Sequence, residues 1–309
     1  MKNIFIAGSL AALLFASCKK DKAIGPPVEI KPDYALPQGN ASTTDNYRIQ
    51  QLFNNYGSYF LYVYTQKDFE WTQATSTGNS RIDTAVLANP QYAGQMLDFL
   101  DDVWLKFLPD AFKKKGGIPY RVFLADSIRQ YRTGYPPGME YLYSDTKVSG
   151  KAIGFAGMNS GLSVMTPAQK LTKKNAITAA VWNYYLGNNI IEIPAAFYNV
   201  SNYAAAAPTT PLNALNPANV EAYRQKGFLP NSYNTVTQAP FEWHNGAYSW
   251  TNAKSNDLSS FIFNLTQRTD AQMAPYLTYP LIKQKWDILV NHFQTKYGID
   301  VRAIGNASY

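Results

Sequence analysis

Ile177-Thr178-Ala179-Ala180-Val181-Trp182-Asn183-Tyr184-Tyr185-Leu186 is the stretch on which the fold turns. Ile177, Ala180, Val181, Tyr184 and Tyr185 recur at steps of three and four, which makes one stripe of a helix running over 170–186. An apolar stripe needs an apolar surface to cover it, and the preceding residues supply one. Residues 118–125 alternate around Tyr120, Val122 and Leu124 and read as a strand. Residues 139–143, 151–157 and 162–165 read as further short strands between Gly and Pro turns.

Outward from there the chain is helical on both sides. Ile49, Leu52, Phe53 and Tyr56 fall at helical spacing before the β-prone run Tyr59-Phe60-Leu61-Tyr62-Val63-Tyr64. Asn89-Pro90 gives a cap and a first-turn proline to a helix whose face carries Met96, Phe99, Leu100, Val103, Trp104, Phe107 and Leu108. Pro109 restarts that helix and Gly116-Gly117 ends it. Residues 209–246 read mostly as loop; residues 257–269 and 281–297 read as helices. Strands set among helices, joined by loops of unequal length, predict an α+β domain.

Composition narrows the function classes. The chain has 309 residues, 15% of them aromatic and 16% charged, against a usual charged share of about 25%. Its 23 Tyr, 16 Phe and 6 Trp give ample surface to bury, which excludes a disordered chain. One cysteine and two histidines exclude an intrachain disulfide, a multi-cysteine zinc site and a histidine-rich metal site. The formal charge of +7 is spread out. Its one dense run, Lys113-Lys114-Lys115, precedes two glycines as cations do in a last helical turn, so no nucleic-acid partner is expected.

The amino terminus points to a membrane anchor. Lys2 precedes an apolar stretch from Ile4 to Phe15, too short to span a bilayer, which takes about 20 residues. Phe15-Ala16-Ser17-Cys18 resembles a bacterial lipobox, and the sole cysteine stands where the lipid would be attached. Residues 1–17 are therefore expected to be a signal peptide and Cys18 the lipidated residue. Residues 18–45, rich in Pro, Gly, Ser, Thr and Asn, are expected to be a flexible tether, and residues 46–309 the folded domain.

Few residues carry visible chemistry. His292 lies beside the stripe Leu289, Val290 and Phe293 with no second ligand in helical reach, as a half-exposed helix histidine does. Glu242 and His244 share one face of a hairpin-like stretch turning at Asn245-Gly246, two groups short of a tetrahedral zinc site. Asp101-Asp102 lies on the first long helix, where a solvated role is expected for one of the two. Gly157-Met158-Asn159-Ser160-Gly161 has the look of a tight turn without being a nucleophile elbow, and no nucleotide-binding glycine loop is present. Trp243 and Trp250 either stack on a ligand or pair across the hairpin.

Several stretches together resemble one family. Residues 56–64 and Lys67-Asp68-Phe69-Glu70-Trp71 follow the lipobox and tether. Lys226-Gly227-Phe228 and the terminal Trp286, Phe293 and Tyr297-Gly298-Ile299-Asp300 come later. This layout is similar to that of the substrate import-associated zinc metallohydrolase lipoproteins of Bacteroidetes, zinc metallopeptidases found with outer-membrane nutrient-uptake transporters. The resemblance implies a zincin-like domain and a His-Glu-x-x-His helix, in which two histidines bind zinc and the glutamate activates water.

The helix in the matching place is 177–186. Pro194 and Phe197 align best with the motif on Val181, Trp182 and Tyr185, and a slip of one residue gives Ala180, Val181 and Tyr184. Neither register holds a histidine or a carboxylate. Ser260 stands where the resemblance implies an acidic ligand, and only Asp257 remains acidic nearby.

The expectation is a metallopeptidase-like domain that has lost its zinc and its general base, with no metal or other cofactor. Trp182, Tyr185, Trp243, His244 and Trp250 are its candidate ligand-binding residues. The resemblance implies an outer-membrane, lipid-anchored protein, on the periplasmic or cell-surface face, partnered with the uptake transporter; a peptide or glycan ligand is expected from the aromatic pair Trp243 and Trp250. The rival expectations are an active zinc hydrolase with a metal site shifted to Glu242 and His244, and a purely structural component of the transporter complex.

Overall fold

The computed structural model describes residues 32–70, 83–208, 217–229 and 252–309. Among these, six strands form one mixed sheet: β1 (Tyr59–Leu61), β2 (Asp83–Leu87), β3 (Arg121–Tyr131), β4 (Tyr141–Ser144), β5 (Thr146–Ser149) and β6 (Ala152–Ala156). β3 is the axis. Its first half pairs parallel with β1 and β6; its second half pairs antiparallel with β2 and β4. β5 continues the sheet beyond β6.

Among the helices are α1 (Thr43–Tyr56), α2 (Ala93–Val103), α3 (Pro167–Gly187), α4 (Pro217–Gln225), α5 (Ala253–Gln267), α6 (Pro280–His292) and α7 (Val301–Gly305). Strand alternation decides what each sheet face covers. Phe60, Val122, Leu124, Ile153 and Phe155 point into one core with Met96, Leu100, Ile177, Val181, Phe261 and Leu289 from the helices. Phe123 faces the other way, where the helical turn at Gln66–Glu70 brings Phe69 to 5.5 Å and Tyr64 lies at 4.9 Å from its ring. Gly154 leaves room for that layer, because a Cβ there would sit 2.7 Å from the Phe69 ring.

The expected α+β class is what forms, and the stripe that opened the reading is buried throughout: Ile177, Ala180, Val181, Tyr184 and Tyr185. α3 starts with a reciprocal cap between Thr166 and Gln169 and a proline in its first turn.

Four sequence expectations need correction. Residues 162–165 are not a strand: Asn159 accepts from the Gly161 N–H and starts a 3-10 helix at Ser160–Val164, leaving Val164 exposed on the surface. The helix after Asn89 is not continuous to Leu108: Trp104 leaves helical geometry at φ −141°, so α2 stops at Val103. The loop expected over 209–246 contains α4, held by buried Val220 and Tyr223. The folded body begins at Leu36, not at residue 46. Gln38 is the reason, since its buried amide donates to the Phe60 carbonyl at 2.7 Å and accepts from the N–H groups of Tyr62 and Val63.

Candidate functional site

α3 carries the positions at which the resemblance implies zinc ligands. Val181, Trp182 and Tyr185 are all buried there. The Tyr185 hydroxyl donates to the Gly117 carbonyl at 2.8 Å and accepts from the Trp104 indole N–H at 3.2 Å. Burial pushes this phenol far above its ordinary pKa, so it stays protonated. The Trp182 ring lies 4.9 Å from Phe293 and 5.9 Å from Tyr185. The space these side chains enclose with Val103, Trp104 and Ile304 is about 10 Å³, at the lower limit for a single water. In the one-residue slip, Ala180 is buried without any donor atom, and the Tyr184 hydroxyl faces the Gly116 carbonyl at 3.4 Å.

Ser260 lies on α5, apart from that space. Its hydroxyl donates to the Asn256 carbonyl one turn back, at 2.9 Å. Valine and tryptophan offer a zinc ion no ligand atom, and the hydroxyls of Tyr185 and Ser260 are already bonded to backbone carbonyls. These four positions do not fit a zinc ion. Among the described residues no group of three His, Cys, Asp or Glu converges on one point either.

The one acidic residue left on that segment has a different partner. Asp257 and Lys285 are both fully buried and lie 2.6 Å apart. Lys285 also donates to the Gly227 carbonyl at 3.1 Å, and Tyr203 donates to the same Asp257 Oδ2 at 2.5 Å. The rings of Phe228, Phe197, Tyr203 and Phe261 surround the ammonium at 4.7–5.5 Å from their centroids, so a buried charge is compensated by both an anion and four π faces. Burial raises the Asp257 pKa, with Lys285 opposing the rise; burial likewise lowers Lys285, with Asp257 opposing. Gly227 holds its carbonyl in place at φ +86°, and a Cβ there would meet Leu281 at 3.0 Å. Lys226-Gly227-Phe228 thus has a structural task, the enclosure of Lys285.

A second buried lysine closes α5 at its other end. Lys174 on α3 donates to the Thr266 carbonyl at 2.7 Å, while Arg302 on α7 serves the carbonyls of Leu265 and, at 2.9 Å, Arg268. The last turn of α5 would otherwise leave these acceptors unpaired. Burial, with Arg302 nearby, lowers Lys174 to about 8.

Between α3 and α5 runs a cleft of about 420 Å³. Trp182 closes one side beside Asn175 and Asn183, while Ile262, Phe263 and Gln267 form the other. No charged side chain among the described residues lines it. The Asn175 Oδ1 atom is buried at its wall without a hydrogen-bond partner. Such a cleft offers apolar area and neutral amide and hydroxyl groups, the means to hold an uncharged ligand.

The structure separates the remaining candidates. His292 is half-buried, with its ring against Phe293 and Tyr297 and Nε2 at 2.8 Å from the Glu192 carbonyl, as expected of a structural helix histidine. Asp101 is exposed, and Asp102 pairs with Lys106 and Lys170. Gly157 turns the chain at φ +97° and Asn159 bonds to Asp126. Cys18, Glu242, Trp243, His244 and Trp250 lie outside the described residues. No described helix is long and apolar enough to cross a membrane.

No family model matches the chain, and no curated protein matches it. Among solved structures, a "putative zinc-binding metallo-peptidase" from Bacteroides caccae is similar over 86% of this chain and 91% of its own, at 11% identity and a TM-score of 0.44.

The two buried lysines were missed by the sequence reading, although a signal existed. Lys285 falls on the stripe Ile282, Trp286 and Leu289, and Lys174 on the stripe Ile177, Thr178 and Val181. A lysine in register with core positions has to find an acceptor indoors.

Proposed function

We propose that this chain is an outer-membrane lipoprotein, anchored through Cys18, whose metallopeptidase-like domain binds a ligand or partner for nutrient import without cleaving it. The observation that carries this reading is the occupation of the expected ligand positions: Val181 and Trp182 pack into the core, and the Tyr185 hydroxyl is held by Gly117 and Trp104. Nothing at those positions can lower the pKa of a water or orient it for attack. The uncharged cleft beside Trp182 supports a binding role, and a neutral glycan or a peptide backbone matches its groups.

The test uses the chain from Lys19 to Tyr309. Titration with neutral oligosaccharides and with uncharged peptides, followed by tryptophan fluorescence, is expected to give a saturable change that Asn175→Leu weakens. Peptide cleavage abolished by a chelator would contradict the reading.

A further inference from the structure

Beyond Ala125 the sheet leaves the core. The second half of β3, flanked by β2 on one edge as far as Gln130, forms with β4 on its other edge a ribbon closed by residues 132–140, and all four residues of β4 are exposed. Arg129 pairs with Tyr143 and Tyr131 with Tyr141 in the register, so alternation puts these four side chains on one face. Leu142 points to the other face, and Tyr135 and Met139 sit in the closing loop. Tyr143 is 63% exposed, Met139 59%, Tyr131 57% and Leu142 48%.

The ribbon carries Arg129 and Arg132 together with Asp126 and Glu140; the Asp126 carboxylate accepts from the Asn159 amide and that of Glu140 from the Gly138 N–H, and neither is paired with an arginine. The Arg129 guanidinium stacks on Tyr141 at 4.4 Å and that of Arg132 on Tyr135 at 3.9 Å. Arg132 gives one N–H to the Met139 carbonyl, and neither arginine meets a carboxylate among the described residues. The Nε atoms of both have no hydrogen-bond partner.

We propose that this ribbon, residues 126–144, is a membrane-contact element that enters the interfacial zone of an anionic bilayer. A flat protein partner would cover one face, whereas apolar side chains here project from both faces and from the tip, as immersion in a phase requires. Tyrosine suits the headgroup level because its ring is apolar and its hydroxyl is wet. Stacked guanidinium groups without a carboxylate match lipid phosphates, to which arginine binds in a fork. The chain's charge of +7 adds attraction of the same sign. This contact depends neither on the loss of zinc nor on a lipid at Cys18.

The test is flotation of the chain from Lys19 to Tyr309, which lacks the cysteine, with vesicles of phosphatidylglycerol and phosphatidylethanolamine or of phosphatidylcholine alone. Binding is expected to the anionic vesicles. The triple variant Y135S/M139S/Y143S, altered only at exposed positions and checked for an unchanged melting temperature, should bind about tenfold more weakly, given the apolar area withdrawn. R129Q/R132Q should lose part of the binding and of its salt dependence. Absence of flotation overturns the proposal. Flotation unchanged by the triple variant also overturns it, since general positive charge would then suffice. So does a dimer that dissociates in the triple variant without vesicle binding, which would assign the ribbon to a second copy of the chain.

Discussion

Lys285 and Asp257 show what a buried charge demands of its neighbours. Removing the ammonium leaves a fully buried carboxylate with no cation and only the Tyr203 hydroxyl to bond it, so Lys285→Met should cost about 3–5 kcal/mol in urea unfolding. Asp257→Asn added to that variant should recover part of the loss, because the orphaned charge disappears with it. Additive losses would mean that the pair is not coupled. Lys174 makes a pH prediction. Its pKa falls from 10.5 to about 8 on folding, so between these values the folded chain binds fewer protons than the unfolded one. Its contribution to stability is present above the unfolded value and is lost as pH falls towards 8. The gain in urea midpoint between pH 8 and pH 10 should therefore shrink in Lys174→Met, and an unchanged gain would place the titration elsewhere.

Elements were legible wherever one face stays dry. The stripe of α3 reads at sight because each position on it is buried, and the same is true of Ile282, Trp286 and Leu289 on α6. β3 was read only as far as Ala125, since beyond it only Ile128 is buried and the alternation fades. The 3-10 turn at Ser160–Val164 reads as a strand because Leu162 and Val164 flank Ser163 in alternation, while the deciding contact is the Asn159 side chain. Of the site, the residue types at 181, 182 and 185, none of them a histidine or a carboxylate, are legible in the sequence. The cleft was not, because it depends on how α3 and α5 lie side by side. At the far end of α5, Arg302 bonds two carbonyls, pairs with Asp270 at 2.7 Å and covers the Trp286 ring at 4.7 Å. Arg302→Ala should lower stability by about 1–3 kcal/mol, measured as the urea midpoint with its slope unchanged.

At the scale of the whole molecule, the sheet divides the work. Its first half is covered by helices and builds a core that closes over positions 181, 182 and 185; its second half reaches outward as the exposed ribbon. On the proposed reading the domain folds by apolar packing around its two buried lysines without a metal, so a chelator should leave its melting temperature unchanged. The purified chain from Lys19 to Tyr309, dialysed against zinc and then against buffer, is expected to retain far less than one zinc per chain. One zinc retained per chain would mean that a zinc site is present and the lost-site reading is wrong.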